Sequence, residues 1–399
     1  MTHMRRTFRV AAAGLLCALC VQTGGQAADL DLTVGYLRLE EPAHPVLSGL
    51  DPVPARRGIE GAELGVKDNQ TTGGFLGHSY ALDVVSLAPE ALAADVAAAA
   101  RDMLAKTRVV VLDMSSEAAL AVADLAEAKG AILINAASGD AALRGASCRA
   151  NLLHTALEDS MAADALMQVL LSKRWTKLAM IVGPTAEDGG RAQSYRQAAQ
   201  KFGLKIVSET TWTFDSDLRR AASREVPLLT QGFKSHDVVL IADAHDDFAR
   251  YIEHNTWEPR PVAGAGGLTA VAWAPVIEQW GAAQLQSRFT DMTGRAMTPR
   301  DYAAWAAVRA LGEAVTRTGT AEAGALHDYL LSDGFELAGF QGRPLSFRNW
   351  NGQMRQPVPV VNAHAQVAAA PLEGFEHPRN PLDTLGTDQP ESECHAFGE

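Results

Sequence analysis

The chain has 399 residues, 47% of them apolar, and a formal net charge of −12. That length and apolar content suffice for two lobes with separate cores. The acidic balance argues against nucleic acid and anionic membrane surfaces as partners, since both repel a negative chain, and no basic block lies beyond the first 28 residues.

Met4-Arg5-Arg6 precedes an apolar run over 10–21 and then small residues up to Ala28. A basic start, a short apolar core and a small-residue end predict a signal peptide over 1–28, cleaved near Ala27 or Ala28. Its core of about a dozen residues falls short of the roughly 20 needed to span a bilayer. No lipoprotein pattern surrounds Cys17 or Cys20. Arg5-Arg6-Thr7-Phe8 also resembles a twin-arginine signal, so both export routes stay open. Export would place the mature chain in the periplasm, where neither ATP nor reduced nicotinamide is supplied, so a binding role stands above a kinase or dehydrogenase role. Cys148 and Cys394 remain after cleavage. An oxidising compartment favours one disulfide clasping the tail to the body, with two unpaired thiols as the alternative.

From residue 32 the pattern alternates between strand and helix. A strand over 32–38 precedes a helix over 55–69, with Ile59, Ala62 and Val66 on one face. Next come a strand over 80–87, an Ala-rich helix over 89–106, a buried strand over 108–113, a helix over 116–129 stopped by Gly130, and a strand over 131–135. Helical links in place of tight turns predict parallel pairing. The pattern then restarts. Thr155 and Glu158 have capping-box spacing before a helix over 159–172. Strands over 177–182, 205–211 and 237–242 alternate with helices over 190–202, 217–231 and 246–255, and a short strand lies near Val262.

A helical section follows over 273–290 and 299–318. The second helix is marked by Thr298 as cap, Pro299 at its first position and Gly319 as stop. A helix over 321–332 and strands over 345–348 and 358–362 close the pattern, with Asn351-Gly352 as a two-residue hairpin signal between the strands. The division expected is a lobe over 29–150 completed by 270–335, a lobe over 151–269 completed by 336–365, and an irregular tail over 366–399. The fold class is α/β, with two Rossmann-like lobes built on parallel sheets.

Several stretches carry a resemblance. Lys177-Leu-Ala-Met-Ile-Val-Gly183, Gly189-Gly-Arg191 and Gly203-Leu-Lys-Ile-Val207, with Tyr302-Ala-Ala-Trp305, Ala310-Leu311, 347–352 and Pro357-Val358, resemble the type I periplasmic binding proteins of the branched-chain amino acid class. Pro45-Val-Leu-Ser48, Gly58-Ile-Glu-Gly-Ala-Glu-Leu64, Asp68-Asn-Gln-Thr-Thr-Gly73, Glu373-Gly-Phe375, Arg379-Asn380 and Leu382-Asp-Thr-Leu-Gly386 are similar to the subfamily associated with PQQ-dependent alcohol dehydrogenase systems. The resemblance implies two lobes joined by three crossovers that close on a small solute. It also implies a monomeric periplasmic receptor for an ABC importer, with membrane permease subunits as partners and a link to alcohol oxidation. A ligand sensor or accessory protein of an alcohol dehydrogenase system, without transport, is the alternative.

In an open parallel sheet the ligand lies beyond the carboxyl ends of the strands. After the first strand, Arg38 and Glu40, with Glu41 and His44 near them, face either the cleft or solvent. Ser115 and Ser116 sit where a helix start offers hydroxyls and free N–H groups to an anion; the resemblance gives that loop the ligand carboxylate, and plain helix capping is the alternative. Asn135, Ala136 and Ser138 match a loop that supplies hydroxyl and backbone contacts. In the second lobe, Glu187 stands where amino acid binders place an aromatic residue, which departs from the pattern. Asp243 stands where an acid meets a ligand ammonium, while Asp246 and Asp247 are expected to start the next helix.

Glu187, Asp188, Asp243, His245, Asp246 and Asp247 offer an imidazole and the carboxylate oxygens that suit a hard-cation site, but no calcium-loop spacing is present and capping is the better account. No nucleophile elbow, zinc-protease pair or P-loop occurs. Gly264-Ala-Gly266-Gly267 fails the dinucleotide fingerprint because Thr269 takes its last glycine position. The expectation is a receptor with no catalytic residue, no cofactor and no metal.

Overall fold

The computed structural model describes residues 30–42, 53–213 and 218–398. The leader, His44 and Pro45-Val-Leu-Ser48 lie outside the described residues.

The first lobe contains β1 (Leu30–Leu39), α1 (Ile59–Gly73), β2 (His78–Leu87), α2 (Ala93–Leu104), β3 (Val109–Asp113), α3 (Ser116–Ala123), β4 (Ile132–Asn135) and β5 (Leu152–His154). Its strands form one parallel sheet in the order β2-β1-β3-β4-β5. Successive residues of β3 serve opposite faces: Val109 and Val111 pack with α1 and the later helices, Val110 and Leu112 with α2 and α3. Cover on both faces explains why this strand is an unbroken apolar run.

The second lobe contains α4 (Asp159–Ser172), β6 (Lys177–Val182), α5 (Ala186–Lys201), β7 (Lys205–Thr211), α6 (Leu218–Thr230), β8 (Val238–Ala242) and β9 (Val262–Gly264). Its parallel sheet has the order β7-β6-β8-β9. The chain continues through β10 (Thr269–Ala270), α7 (Ala282–Thr293), α8 (Pro299–Thr318), α9 (Ala323–Leu330), β11 (Leu337–Ala338), β12 (Pro344–Phe347), β13 (Met354–Arg355), β14 (Val358–Val361) and β15 (Gln366–Ala370). β10-β14-β15 and β11-β12-β13 form two small antiparallel sheets. The chain crosses between lobes from β5 to α4, from β10 to α7 and from β13 to β14. Two parallel-sheet lobes joined by three crossovers are the type I periplasmic binding protein fold.

α8 has the expected ends. Thr298 accepts from the Asp301 N–H, the Asp301 carboxylate accepts from the Thr298 N–H at 2.9 Å, and Gly319 stops the helix at φ 67°. Other expectations need correction. Where a helix over 246–255 was expected, the backbone holds only a 3₁₀ turn at Ala249–Tyr251, because Asp246 takes φ 59° and breaks the helix start. The helix expected over 273–290 begins at Ala282, after Trp280 and Gly281 turn left-handed at φ 60° and 84°. Thr155 caps nothing: Glu158 is the boundary residue of α4, and the buried Thr155 hydroxyl has no hydrogen-bond partner among the described residues.

The hairpin at Asn351-Gly352 joins β12 to β13, with Phe347 opposite Met354, so its loop is longer than two residues. Leu337, Leu345, Phe347 and Met354 belong to the first lobe's core, which moves the expected 336–365 boundary to the step after β13. Val358, Val360, Ala370 and Leu385 belong to the second. The tail is not irregular throughout: β15 pairs with β14, and Cys394 forms a disulfide with Cys148, Cα–Cα 5.6 Å.

Candidate functional site

The two sheets point their carboxyl ends at a shared cleft of about 310 Å³ beside the crossovers, near the small end of the range for ligand pockets. Its apolar wall comes from Ala136, Ala137, Ala156, Leu157, Val271 and Ala303. Its polar groups are Arg57, Thr298 and Arg300 from the first lobe, Asp159, Arg191 and Tyr195 from the second, and Thr269 of β10. A larger cavity of about 770 Å³ lies under the tail, away from the ends of the parallel strands. The interlobe cleft is therefore the better candidate.

In the first lobe, pairing of β1 with β3 sets Arg38 beside Asp113 at the sheet's end. Asp113 is 1% exposed. It accepts from the Tyr36 hydroxyl at 2.8 Å, pairs with Arg300, and lies 3.8 Å from the Arg38 guanidinium. Burial and the Asp113 charge push the Tyr36 hydroxyl well above its usual pKa, so it stays a donor. Arg300 also donates to Glu41 at 2.7 Å, and Arg57 reaches the other Glu41 oxygen at 2.7 Å. Burial pushes Glu41 up, but Arg300 and Arg57 outweigh it and hold the carboxyl at about 2.

Arg57 and Arg300 owe their positions to two helix starts. Arg300 is in the first turn of capped α8, and Arg57 precedes Gly58, whose N–H donates to Asp301 at 2.7 Å. Gly58 holds φ 84°, and a Cβ there would come within 2.2 Å of the Tyr36 hydroxyl oxygen. Only glycine lets α1 begin this close to the network.

In the second lobe, α5 presents Arg191 and Tyr195 on one face, one turn apart. Arg191 donates to the Asp243 carbonyl at 2.9 Å and lies 3.6 Å from the Asp159 carboxylate. Burial lowers its pKa, but Asp159 and the neighbouring acids raise it further, so it stays charged. Tyr195 is 6% exposed, and burial lifts its hydroxyl to about 12. That hydroxyl lines the cleft as a neutral group with no hydrogen-bond partner among the described residues.

The residues singled out from sequence are placed unevenly. Ala136 lines the cleft, and Arg38 stands behind it in the Asp113 network. Asn135 is fully buried: its Oδ1 accepts from the N–H groups of Ala137 and Ser138, and its Nδ2 donates to the Ser138 carbonyl. It shapes the loop. The Ser138 hydroxyl accepts from the Asp140 N–H, and Ser115 caps α3 by accepting from Ala118, with Ser116 the first residue of that helix. Glu40 accepts from Ser86. Glu187 is exposed in the first turn of α5.

Asp243 reverses its expected role. It is 2% exposed and accepts from the N–H groups of Asp247, Phe248 and Ala249 at 2.8–3.0 Å, so it is the cap of the following turn. Asp246, expected to start the helix, pairs with Arg250 at the surface. Asp188 is likewise spent on Thr185 and Ala244 N–H groups. No cluster of three or more His, Cys, Asp or Glu suited to a metal is found among the described residues. Sequence reading missed Arg57, Asp159, Tyr195 and Arg300 and took Arg191 only as part of a motif. The available signals were Pro299 beside Arg300 at a helix start and the four-residue spacing of Arg191 and Tyr195.

Comparisons agree with this architecture. A branched-chain amino acid ABC transporter ligand-binding protein from Burkholderia xenovorans superposes with TM-score 0.71 at 15% identity, over 92% of this chain and all of that one. The leucine-, isoleucine-, valine-, threonine- and alanine-binding protein of Brucella ovis, in its closed conformation, gives 0.67 at 13% identity, over 85% and 92%. A solute-binding protein from R. palustris in complex with benzoate gives 0.64 at 13%, over 91% and 99%. No curated protein matches by sequence. The model of the periplasmic binding proteins matches residues 46–367, and the chain belongs to that family.

Proposed function

We propose that this chain is the periplasmic receptor of an ABC importer and that it takes a small organic carboxylate between its lobes. The leader would direct export, and the loaded monomer would be recognised by the importer's permease subunits. The observation that carries this reading is the set of cleft cations: Arg57 and Arg300 from one lobe, Arg191 from the other, against the single lining carboxylate of Asp159. Guanidinium forks match carboxylate geometry and are the natural partners of such a group. Asp243, the acid that would have met an ammonium, is consumed as a cap, so nothing at that position selects an amino acid. The R. palustris protein is in complex with benzoate, a carboxylate without an ammonium, which supports this reading.

The link to PQQ-dependent alcohol oxidation rests on the segments over 58–64, 68–73 and 373–386 that resemble that subfamily. It is chemically consistent with the cleft, because an alcohol oxidised through its aldehyde ends as a carboxylate. The test is a thermal-shift series on the mature protein with the alcohol, aldehyde and carboxylate of one carbon skeleton, repeated over several skeletons and beside amino acids. A bound carboxylate at a hundred times its Kd adds about 2.7 kcal/mol of stability. Shifts by amino acids and by no simple carboxylate would refute the ligand class, and no shift by any solute would remove the receptor reading.

A further inference from the structure

We infer that the C-terminal tail is a covalently closed strap, a fourth crossing between the lobes that limits how far they move apart or together. The tail leaves β15 in the second lobe and is fastened there twice. The Gly386 N–H donates to Asp164 of α4 at 2.8 Å, and Lys201 of α5 donates to the carbonyls of Thr384 and Gly386 at 2.9 and 3.0 Å. Lys201 also pairs with Asp164 at 2.6 Å. Leu385 is fully buried in the second lobe's core.

The same few residues grip the first lobe. Arg348, fully buried in the β12–β13 turn, pairs with Asp383 at 3.1 Å and donates to the carbonyls of Leu382 and Leu385 at 3.3 and 2.5 Å. Arg355 reaches the same Asp383 oxygen at 2.7 Å. The chain then runs to Cys394, whose disulfide to Cys148 returns it to the loop before β5, and Phe397 packs on the first lobe's core. Cys148 and Cys394 are 246 residues apart, so this bond encloses the whole second lobe.

The strap also touches a crossover directly. Gly386, at φ 77°, lies so near the step into α4 that a Cβ there would sit 2.9 Å from Met161 and 3.2 Å from the Glu158 carboxylate. Closure of two lobes requires the crossover residues to change φ and ψ. A segment fixed to both lobes and resting on one crossover must give way or restrain that rotation, and the disulfide prevents it from detaching. The tail would therefore set the balance of open and closed forms on which the receptor's apparent affinity depends.

The experiment needs no ligand, so its outcome is separate from that of the carboxylate proposal. Hydrogen exchange and small-angle scattering are measured on the wild type, on Cys148→Ser with Cys394→Ser, and on Lys201→Met, which leaves the disulfide intact and loosens only the second-lobe fastening. Amides of the crossovers over 154–158 and 355–358 are expected to exchange roughly tenfold faster in the double serine variant, with β3 and β8 unchanged. The scattering distance distribution should broaden, and Lys201→Met should act in the same direction to a smaller extent. Unchanged crossover exchange in both variants overturns the strap. Equal acceleration through β3 and β8 also overturns it, since the tail would then be a general brace. If the serine variant fails to fold, Lys201→Met decides the matter.

Discussion

The two lobes present the same fold edge to the cleft and use it differently. At the end of the first sheet, side-chain charges meet one another: Arg38 and Arg300 at Asp113, and Arg300 with Arg57 at Glu41. At the end of the second sheet, the acids meet backbone instead, Asp188 and Asp243 each accepting two or more N–H groups. The first arrangement holds Arg57 and Arg300 at the cleft wall. The second fixes loops, and α5 lines the cleft with Arg191 and Tyr195. Equivalent positions in a repeated fold thus do not imply equivalent roles.

The sharpest way to break this contrast is Arg300→Met. It leaves Asp113 buried with only the more distant Arg38 and a hydroxyl, which should cost about 3 kcal/mol in urea unfolding and abolish the carboxylate thermal shift. Asp243→Ala should cost about 2 kcal/mol, because three N–H groups lose their acceptor. Binding per folded molecule should change little; a large loss of affinity with stability intact would restore Asp243 as a ligand group.

The strap supplies a pH test. Burial raises Asp164 to about 6 despite Lys201, whose charge acts the other way. A raised acid favours the folded state in its protonated form, fully below the unfolded value near 3.9, and loses that contribution as pH rises through about 6. Wild type should therefore gain roughly 1 kcal/mol relative to Asp164→Asn between pH 7.5 and 5, read as the difference between their unfolding curves. No difference would place the titration elsewhere.

Tyr195→Phe should leave stability unchanged, since the hydroxyl has no hydrogen-bond partner among the described residues, and weaken carboxylate binding by roughly three- to tenfold, the net worth of one hydrogen bond. Glu187→Gln should change stability by less than about 0.5 kcal/mol, as expected for a surface residue, and leave affinity alone.

Much of the fold was legible in the chain because it rests on local signals. Apolar runs such as 109–112 marked strands covered on both faces, and Thr298, Pro299 and Gly319 fixed α8, since caps and stops are chemistry of neighbouring residues. The site was less legible. Ala136 lines the cleft and Arg38 stands behind it at Asp113, but Ser115, Asn135 and Ser138 spend their polar atoms on their own loops. A short polar side chain after a strand can serve a ligand or its own backbone, and spacing does not distinguish the two.

The sequence by itself therefore determined the two α/β repeats, the parallel pairing and the capped helix α8, all consequences of short-range periodicity and backbone satisfaction. Only the tertiary structure decided which charges meet. Arg57, Arg191 and Arg300 are far apart along the chain and converge because two helix starts and one helix face point into the same cleft. The tail's grip on both lobes is likewise a matter of contacts between distant residues, with Asp383 held by Arg348 and Arg355 and Cys394 by Cys148. Such contacts are set by how elements pack in three dimensions, which the local pattern does not encode.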